Sequence, residues 1–210
     1  MRILLLSPYP EGLIGSFLKK EQVLCLKDKA TEADFIWNDI TISYGYRHII
    51  PAHIVRKHRI INIHTSFLPW NRGAHPCFWS FYDGTPRGVT IHYIDEGIDT
   101  GDILVQAIDD YPVSSEDTLR TRYDHLQKMA EAMFQAQWPY LRTLPPGTKQ
   151  SELYAGSGSF HRKKDLEPIW PHLEWGWDTP VAEVEALGRR DREAKRDMGD
   201  RGQAVAGAES

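Results

Sequence analysis

Asn62 and His64 sit two residues apart at the end of Arg59-Ile60-Ile61-Asn62-Ile63-His64, an apolar, isoleucine-rich run that predicts a strand. With a side-chain period of two, both polar groups project from one face while Ile61 and Ile63 fill the other. One site is thereby offered an amide and a titratable imidazole. Ligands of open α/β sheets bind at the carboxyl ends of strands, which is where this pair lies. A structural Asn tying down the next turn, beside a half-buried His, has the same spacing, so the pair by itself leaves both readings open.

Downstream, Asp95-Glu96-Gly97-Ile98-Asp99-Thr100-Gly101-Asp102 places four carboxylates in eight residues, a density that is costly unless the charges are solvated or used. An EF-hand calcium loop has a different alternation and helical flanks, whereas strands are predicted here, so no metal is expected. A carboxylate from this loop can instead meet His64, fix its tautomer and raise its basicity. Between the two features, Thr65-Ser66-Phe67-Leu68-Pro69-Trp70-Asn71-Arg72-Gly73 is a loop ending in a guanidinium that can face an anion. Loops set on a rigid sheet commonly carry function, although an ordinary surface loop has this composition too.

The elements that must position these residues alternate. A first strand over residues 1–6 leads through a turn into a helix expected from Ile14 to Lys27. A strand over 40–44 stops at Gly45, a short helix runs from Pro51 toward Arg56, and strands over 88–94 and 103–108 bracket the acidic loop. A long helix over 115–140 carries Leu119, Tyr123, Leu126, Met129, Ala130 and Met133 at helical spacing, a stripe that reads as core. This is the pattern of an α/β, Rossmann-like doubly wound fold with a mostly parallel sheet. We expect one domain over 1–145 and an extension over 146–198, with a tail over 199–210 lacking order. The extension holds Gly156-Ser157-Gly158-Ser159, read as a substrate-side loop, and a charged helix opened by Thr179, Pro180 and Glu183. Gly156 and Gly158 follow no predicted strand, so they are no dinucleotide fingerprint. The charged helix reads as a solvated face, with contact to a second copy in a homodimer as the alternative.

Composition narrows the function classes. The 210 residues carry a net charge of −4, which gives no general attraction for nucleic acid; Arg162-Lys163-Lys164 is a local exception that reads as a solvated patch. No apolar run approaches the ~20 residues of a membrane span, and the N-terminus lacks a signal-peptide pattern. Cys25 and Cys77 show no paired spacing and are expected as free thiols, which suits a reducing cytoplasm.

Asn62-Ile63-His64-Thr65-Ser66-Phe67-Leu68-Pro69, Arg72-Gly73, Gly88-Val89-Thr90-Ile91-His92 and Asp95 through Leu104 together resemble the signature blocks of the 10-formyltetrahydrofolate-dependent formyltransferases, in order and spacing. The resemblance implies an Asn, His and Asp triad at Asn62, His64 and Asp99. It implies 10-formyltetrahydrofolate as formyl donor, with the pterin against Tyr46, Arg47, His48, Ile49 and Ile50 and the backbone of Asp95, Glu96, Gly97 and Asp99. In that setting Asn62 is expected to donate to a developing oxyanion, His64 to donate and relay a proton, and Asp99 to hold the imidazole and help remove the amine proton. Arg72-Gly73-Ala74-His75-Pro76-Cys77-Phe78-Trp79-Ser80 is most similar to small enzymes that formylate amino sugars for surface polysaccharides. Ser66, Arg72, His75 and Trp79 are the acceptor contacts this implies, and a nucleotide-activated amino sugar is the expected substrate. Glycinamide ribotide, an aminoacyl-tRNA, or folate binding without turnover are the alternatives. Family members usually carry more βα structure between the first strand and the Ile40 strand, so the N-terminal half is expected to be abbreviated. No counterpart of the C-terminal β domain with which methionyl-tRNA formyltransferases grip tRNA is expected within these 210 residues.

Overall fold

A strand covered by helices on both faces must be apolar along its whole length, and β1 (Arg2–Leu6) is: Ile3, Leu4, Leu5 and Leu6 are at most 1% exposed. The computed structural model, which describes residues 1–9 and 12–206, continues through α1 (Leu13–Phe17), β2 (Gln22–Leu26), α2 (Glu32–Ile36), β3 (Ile40–Tyr44), α3 (Ala52–Val55), β4 (Ile60–His64) and β5 (Arg72–Gly73). It then forms α4 (Pro76–Tyr82), β6 (Gly88–Tyr93), β7 (Ile103–Ile108), α5 (Leu119–Leu141), α6 (Gln150–Leu153), β8 (Phe160–His161) and α7 (Val181–Ala206). Six strands make one sheet in the order β2-β1-β3-β4-β6-β7, and β5 pairs with β8 apart from it. The first four are parallel, while β6 is antiparallel to both neighbours.

Alternation along the strands divides the core. Ile3, Leu5, Ile42, Ile61 and Ile63 join Phe78 of α4, Phe134 of α5 and Val184 of α7 on one face, whereas Leu4, Leu6 and Ile60 meet Phe35 of α2 and Ile54 of α3 on the other. The α/β, doubly wound, mostly parallel class expected from the sequence is the observed fold. α5 starts at Leu119 because Thr118 caps it: its hydroxyl accepts from Thr121 N at 3.2 Å, and Thr121 Oγ1 accepts from Thr118 N at 2.9 Å.

The N-terminal half departs from expectation. The helix predicted from Ile14 to Lys27 ends at Phe17, tightens into a single 3-10 turn over Leu18–Lys20, and yields to β2. All five residues of β2 pair with β1 in parallel register, and Val23 and Cys25 pack on the core. Pairing satisfies backbone groups that β1 would otherwise leave open along that edge, which local helix preference cannot offset. A β2–α2 unit therefore stands between β1 and β3. At the other end, α7 continues through Ala206 into the segment expected to lack order, and residues 207–210 lie outside the described residues. Among the described residues no helix is long and apolar enough to cross a membrane.

Candidate active site

Antiparallel pairing of β4 with β6 sets Asn62 directly opposite His92, and opposed residues share a face. His92 is 1% exposed. Its Nδ1 lies 2.7 Å from the Tyr93 carbonyl, which can only accept, so Nδ1 carries the ring proton. Burial, partly opposed by the Asp99 carboxylate, holds the imidazole below its ordinary pKa, which leaves Nε2 with a free lone pair. Asn62 Nδ2 donates to that lone pair at 3.1 Å and to Asp99 Oδ1 at 3.3 Å. A buried imidazole thus decides which way the Asn62 amide faces.

Asp99 arrives from the β6–β7 loop in a left-handed backbone conformation, φ 52°, which Asp tolerates better than most residues. Its Oδ2 accepts the Gly73 N–H at 2.8 Å and lies 3.8 Å from His64 Nε2. Its Oδ1 is 3.7 Å from His92 Nε2. Burial opposes the charge, but the His64 imidazole, the Gly73 N–H and the Arg72 guanidinium outweigh it and hold the carboxyl below its ordinary pKa. His64 Nε2 is also 3.2 Å from the Asn71 carbonyl, so that nitrogen is a donor. The other carboxylates of the loop are used elsewhere. Asp95 accepts from Gly97 N at 3.0 Å and Thr100 Oγ1 at 2.6 Å, Glu96 pairs with Arg56 at 2.7 Å on the surface, and Asp102 lines a separate cleft of about 440 Å³.

Asn62, His64, His92 and Asp99 all line a cleft of about 1070 Å³. Strand order reverses between β1 and β3, and Tyr9, Gly45 and Tyr46, just past their carboxyl ends, line it too. All of Tyr46, Arg47, His48, Ile49, Ile50, Asp95, Glu96 and Gly97 are in the lining. The expected acceptor contacts divide. His75 lines the main cleft and Arg72 the smaller one. Ser66 and Trp79 reach neither: the Ser66 hydroxyl is buried on the Trp70 carbonyl at 2.9 Å, and the Trp79 ring is 4% exposed and stacked on His161 at 3.8 Å. Trp79 belongs to α4, whose first turn, Pro76 and Cys77, lines the main cleft, while Trp79 lies further along among the buried residues and in neither lining. Among the described residues no group of three or more His, Cys, Asp or Glu is placed to hold a metal ion.

Three site components escaped the sequence. His92 shares a strand face with Thr90 by period two, but nothing local says that β6 runs antiparallel to β4 with His92 opposite Asn62. The Gly73 N–H is a backbone group without a sequence signal. His161, Arg162, Lys163 and Trp177 also line the main cleft; the expected substrate-side loop at Gly156 lies a few residues earlier, against the smaller one.

The His92 environment has a pH consequence. Its folded pKa is below the unfolded value of about 6.5, so below that pH the unfolded chain takes up a proton that the folded chain refuses. Stability is fully present above about pH 6.5 and is lost as pH falls toward the folded pKa, by at most ~1.4 kcal/mol per pH unit for one proton. Urea unfolding between pH 5 and 8 should show this slope in the wild type and a shallower one in His92→Gln. Equal slopes would mean the ring does not stay neutral.

Comparison with known proteins follows the same segment. The formyl transferase family pattern matches residues 21–137. The dTDP-4-amino-4,6-dideoxyglucose formyltransferase of Mycobacterium tuberculosis is 30% identical over 131 residues, covering 62% of this chain and 54% of the relative. Methionyl-tRNA formyltransferase of Marinobacter nauticus is 29% identical over 194 residues, 90% of this chain and 60% of the relative. The chain thus spans about half the length of the first of these curated relatives. Among solved structures, the formyltransferase PseJ from Anoxybacillus kamchatkensis, in complex with UDP-4,6-dideoxy-4-formamido-L-AltNAc and tetrahydrofolate, superposes with a TM-score of 0.81 at 42% identity. That match covers 90% of this chain and 100% of PseJ.

Proposed function

The chain belongs to the formyl transferase family, and from that premise we propose that it is an N-formyltransferase that moves a formyl group from 10-formyltetrahydrofolate to the amino group of a nucleotide-activated amino sugar, for surface polysaccharide synthesis. The likeness to PseJ over that protein's whole length carries this reading. The cleft, at about 1070 Å³, is at the top of the usual range for small-molecule sites and suits two ligands meeting at Asn62. Exposed Arg162 and Lys163 in its lining suit an anionic acceptor. The net charge of −4 works against tRNA.

10-Formyltetrahydrofolate supplies an activated formyl carbon, and the rest falls to the chain. An amine attacking that carbon pushes charge onto the formyl oxygen. Of the two Asn62 N–H bonds, the longer, to Asp99 at 3.3 Å, is the one a formyl oxygen can take over, which makes Asn62 an oxyanion donor. His64, donating through Nε2, adds a second polar hydrogen and passes a proton to N10 of the folate as the formyl C–N10 bond breaks, so that tetrahydrofolate leaves. Asp99, kept ionised by its partners, accepts the proton that the amine must lose.

The test is a side-by-side transfer assay with 10-formyltetrahydrofolate and UDP- or dTDP-linked 4-amino-4,6-dideoxy sugars, glycinamide ribotide and methionyl-tRNA as acceptors. A nucleotide sugar should win by ~10²-fold or more in kcat/KM. Preference for the ribotide or the tRNA, or folate binding without transfer to any amine, would overturn the reading.

A further inference from the structure

Gln150 lies beyond the segment matched by the family pattern, 21–137, and yet it holds the candidate site from outside. It opens α6 and is 8% exposed. Its Nε2 donates to the Asp99 carbonyl at 2.8 Å and to the Gly101 carbonyl at 3.0 Å, so both amide hydrogens are engaged by one short stretch of loop. That stretch includes the left-handed backbone of Asp99, φ 52°, a conformation that costs a non-glycine residue some free energy, though Asp less than most, and that these two bonds help to hold. The Asp99 side chain is fastened separately, by the Gly73 N–H at 2.8 Å. Backbone held by α6 and carboxylate held by β5 leave Asp99 a single placement.

We propose that Gln150 is a positioning residue for formyl transfer: by donating to the Asp99 and Gly101 carbonyls, its carboxamide sets the Asp99 carboxylate against Asn62 and His64. The kinetic consequence rests on the formyl-transfer reading, whereas the positioning can be read without turnover. Gln150 lines the smaller cleft and not the main one that holds Asn62, His64 and Asp99, so it reaches that constellation only through the Asp99 loop.

Gln150→Met keeps the length of the side chain and removes both donors. In the ligand-free protein the Gly73 amide, whose partner is Asp99 Oδ2, should exchange its hydrogen at least ~10-fold faster in this variant. The neighbouring Arg72 and Ala74 amides, bonded to the Ser159 and His161 carbonyls, should keep wild-type rates; general loosening of the fold would speed all three. In the transfer assay kcat should fall ~10- to 100-fold with KM for donor and acceptor within about 3-fold of wild type. Gln150→Glu, of the same shape but without an N–H, should behave alike and carries the comparison if Gln150→Met does not fold. Wild-type Gly73 exchange in the variant, or equal acceleration at all three amides, overturns the proposal. A wild-type protein that formylates no amine sinks the functional reading instead, and Gly73 exchange still decides the positioning.

Discussion

Asp99→Asn is expected to cut formyl transfer ~10²- to 10³-fold while costing about 1–3 kcal/mol of stability. Both Asp99 oxygens are acceptors in the structure: Oδ1 faces the Asn62 amide and Oδ2 the Gly73 N–H. A carboxamide of the same shape has one acceptor oxygen, so its NH₂ must point at one of those two donors, and that donor loses its partner. The charge that keeps a proton-accepting group beside His64 goes as well. Single-turnover transfer and urea unfolding on the same preparation separate the two losses. His64→Ala should show a kinetic loss of similar size with the fold retained. Near-wild-type turnover in either variant would remove Asn62, His64 and Asp99 as the reacting constellation.

Gly101→Ala should be nearly as damaging to turnover, although Gly101 touches no reacting atom. A Cβ at this position would stand 1.8 Å from the Tyr93 carbonyl oxygen and 2.8 Å from its carbon, and both belong to strand backbone that cannot rotate away. The loop must lift from β6, and Asp99 lifts with it. A displacement of 1 Å in a positioned group costs ~10²-fold in rate, and forcing atoms into filled space costs about 1–3 kcal/mol. Gly97→Ala is the control within the same loop. Its Cβ would meet Thr100 Oγ1 at 2.1 Å, a side-chain atom that can move at the expense of its bond to Asp95. Turnover in Gly97→Ala should therefore exceed that in Gly101→Ala by ~10-fold or more; equal rates would mean that loop height over β6 does not set the position of Asp99.

The glycine-bearing acidic loop was legible in the sequence, but the reason for Gly101 was not, because Tyr93 approaches it only when the loop folds back on the strand it follows. β2 illustrates the same limit. Val23, Leu24 and Leu26 fit a helix by period and a strand by composition, and the open edge of β1, a partner some twenty residues earlier, decided for the strand. Trp79 was read as a ligand contact from the company it keeps in the chain, and α4 buries it.

What the sequence determined by itself is whatever depends on neighbours along the chain. Period two placed Asn62 and His64 on one face, alternating elements set the α/β class, and the β3, β4 and β7 segments could be drawn closely. It could not choose among four carboxylates; the family resemblance pointed to Asp99, and the structure joins Asp99 to Asn62 and brings it near His64. Tertiary structure alone decided the rest: His92 opposite Asn62, the Gly73 N–H on the carboxylate, and Gln150 reaching back from α6. These contacts join residues far apart in sequence through backbone groups and antiparallel register, and neither leaves a mark on residue type or spacing.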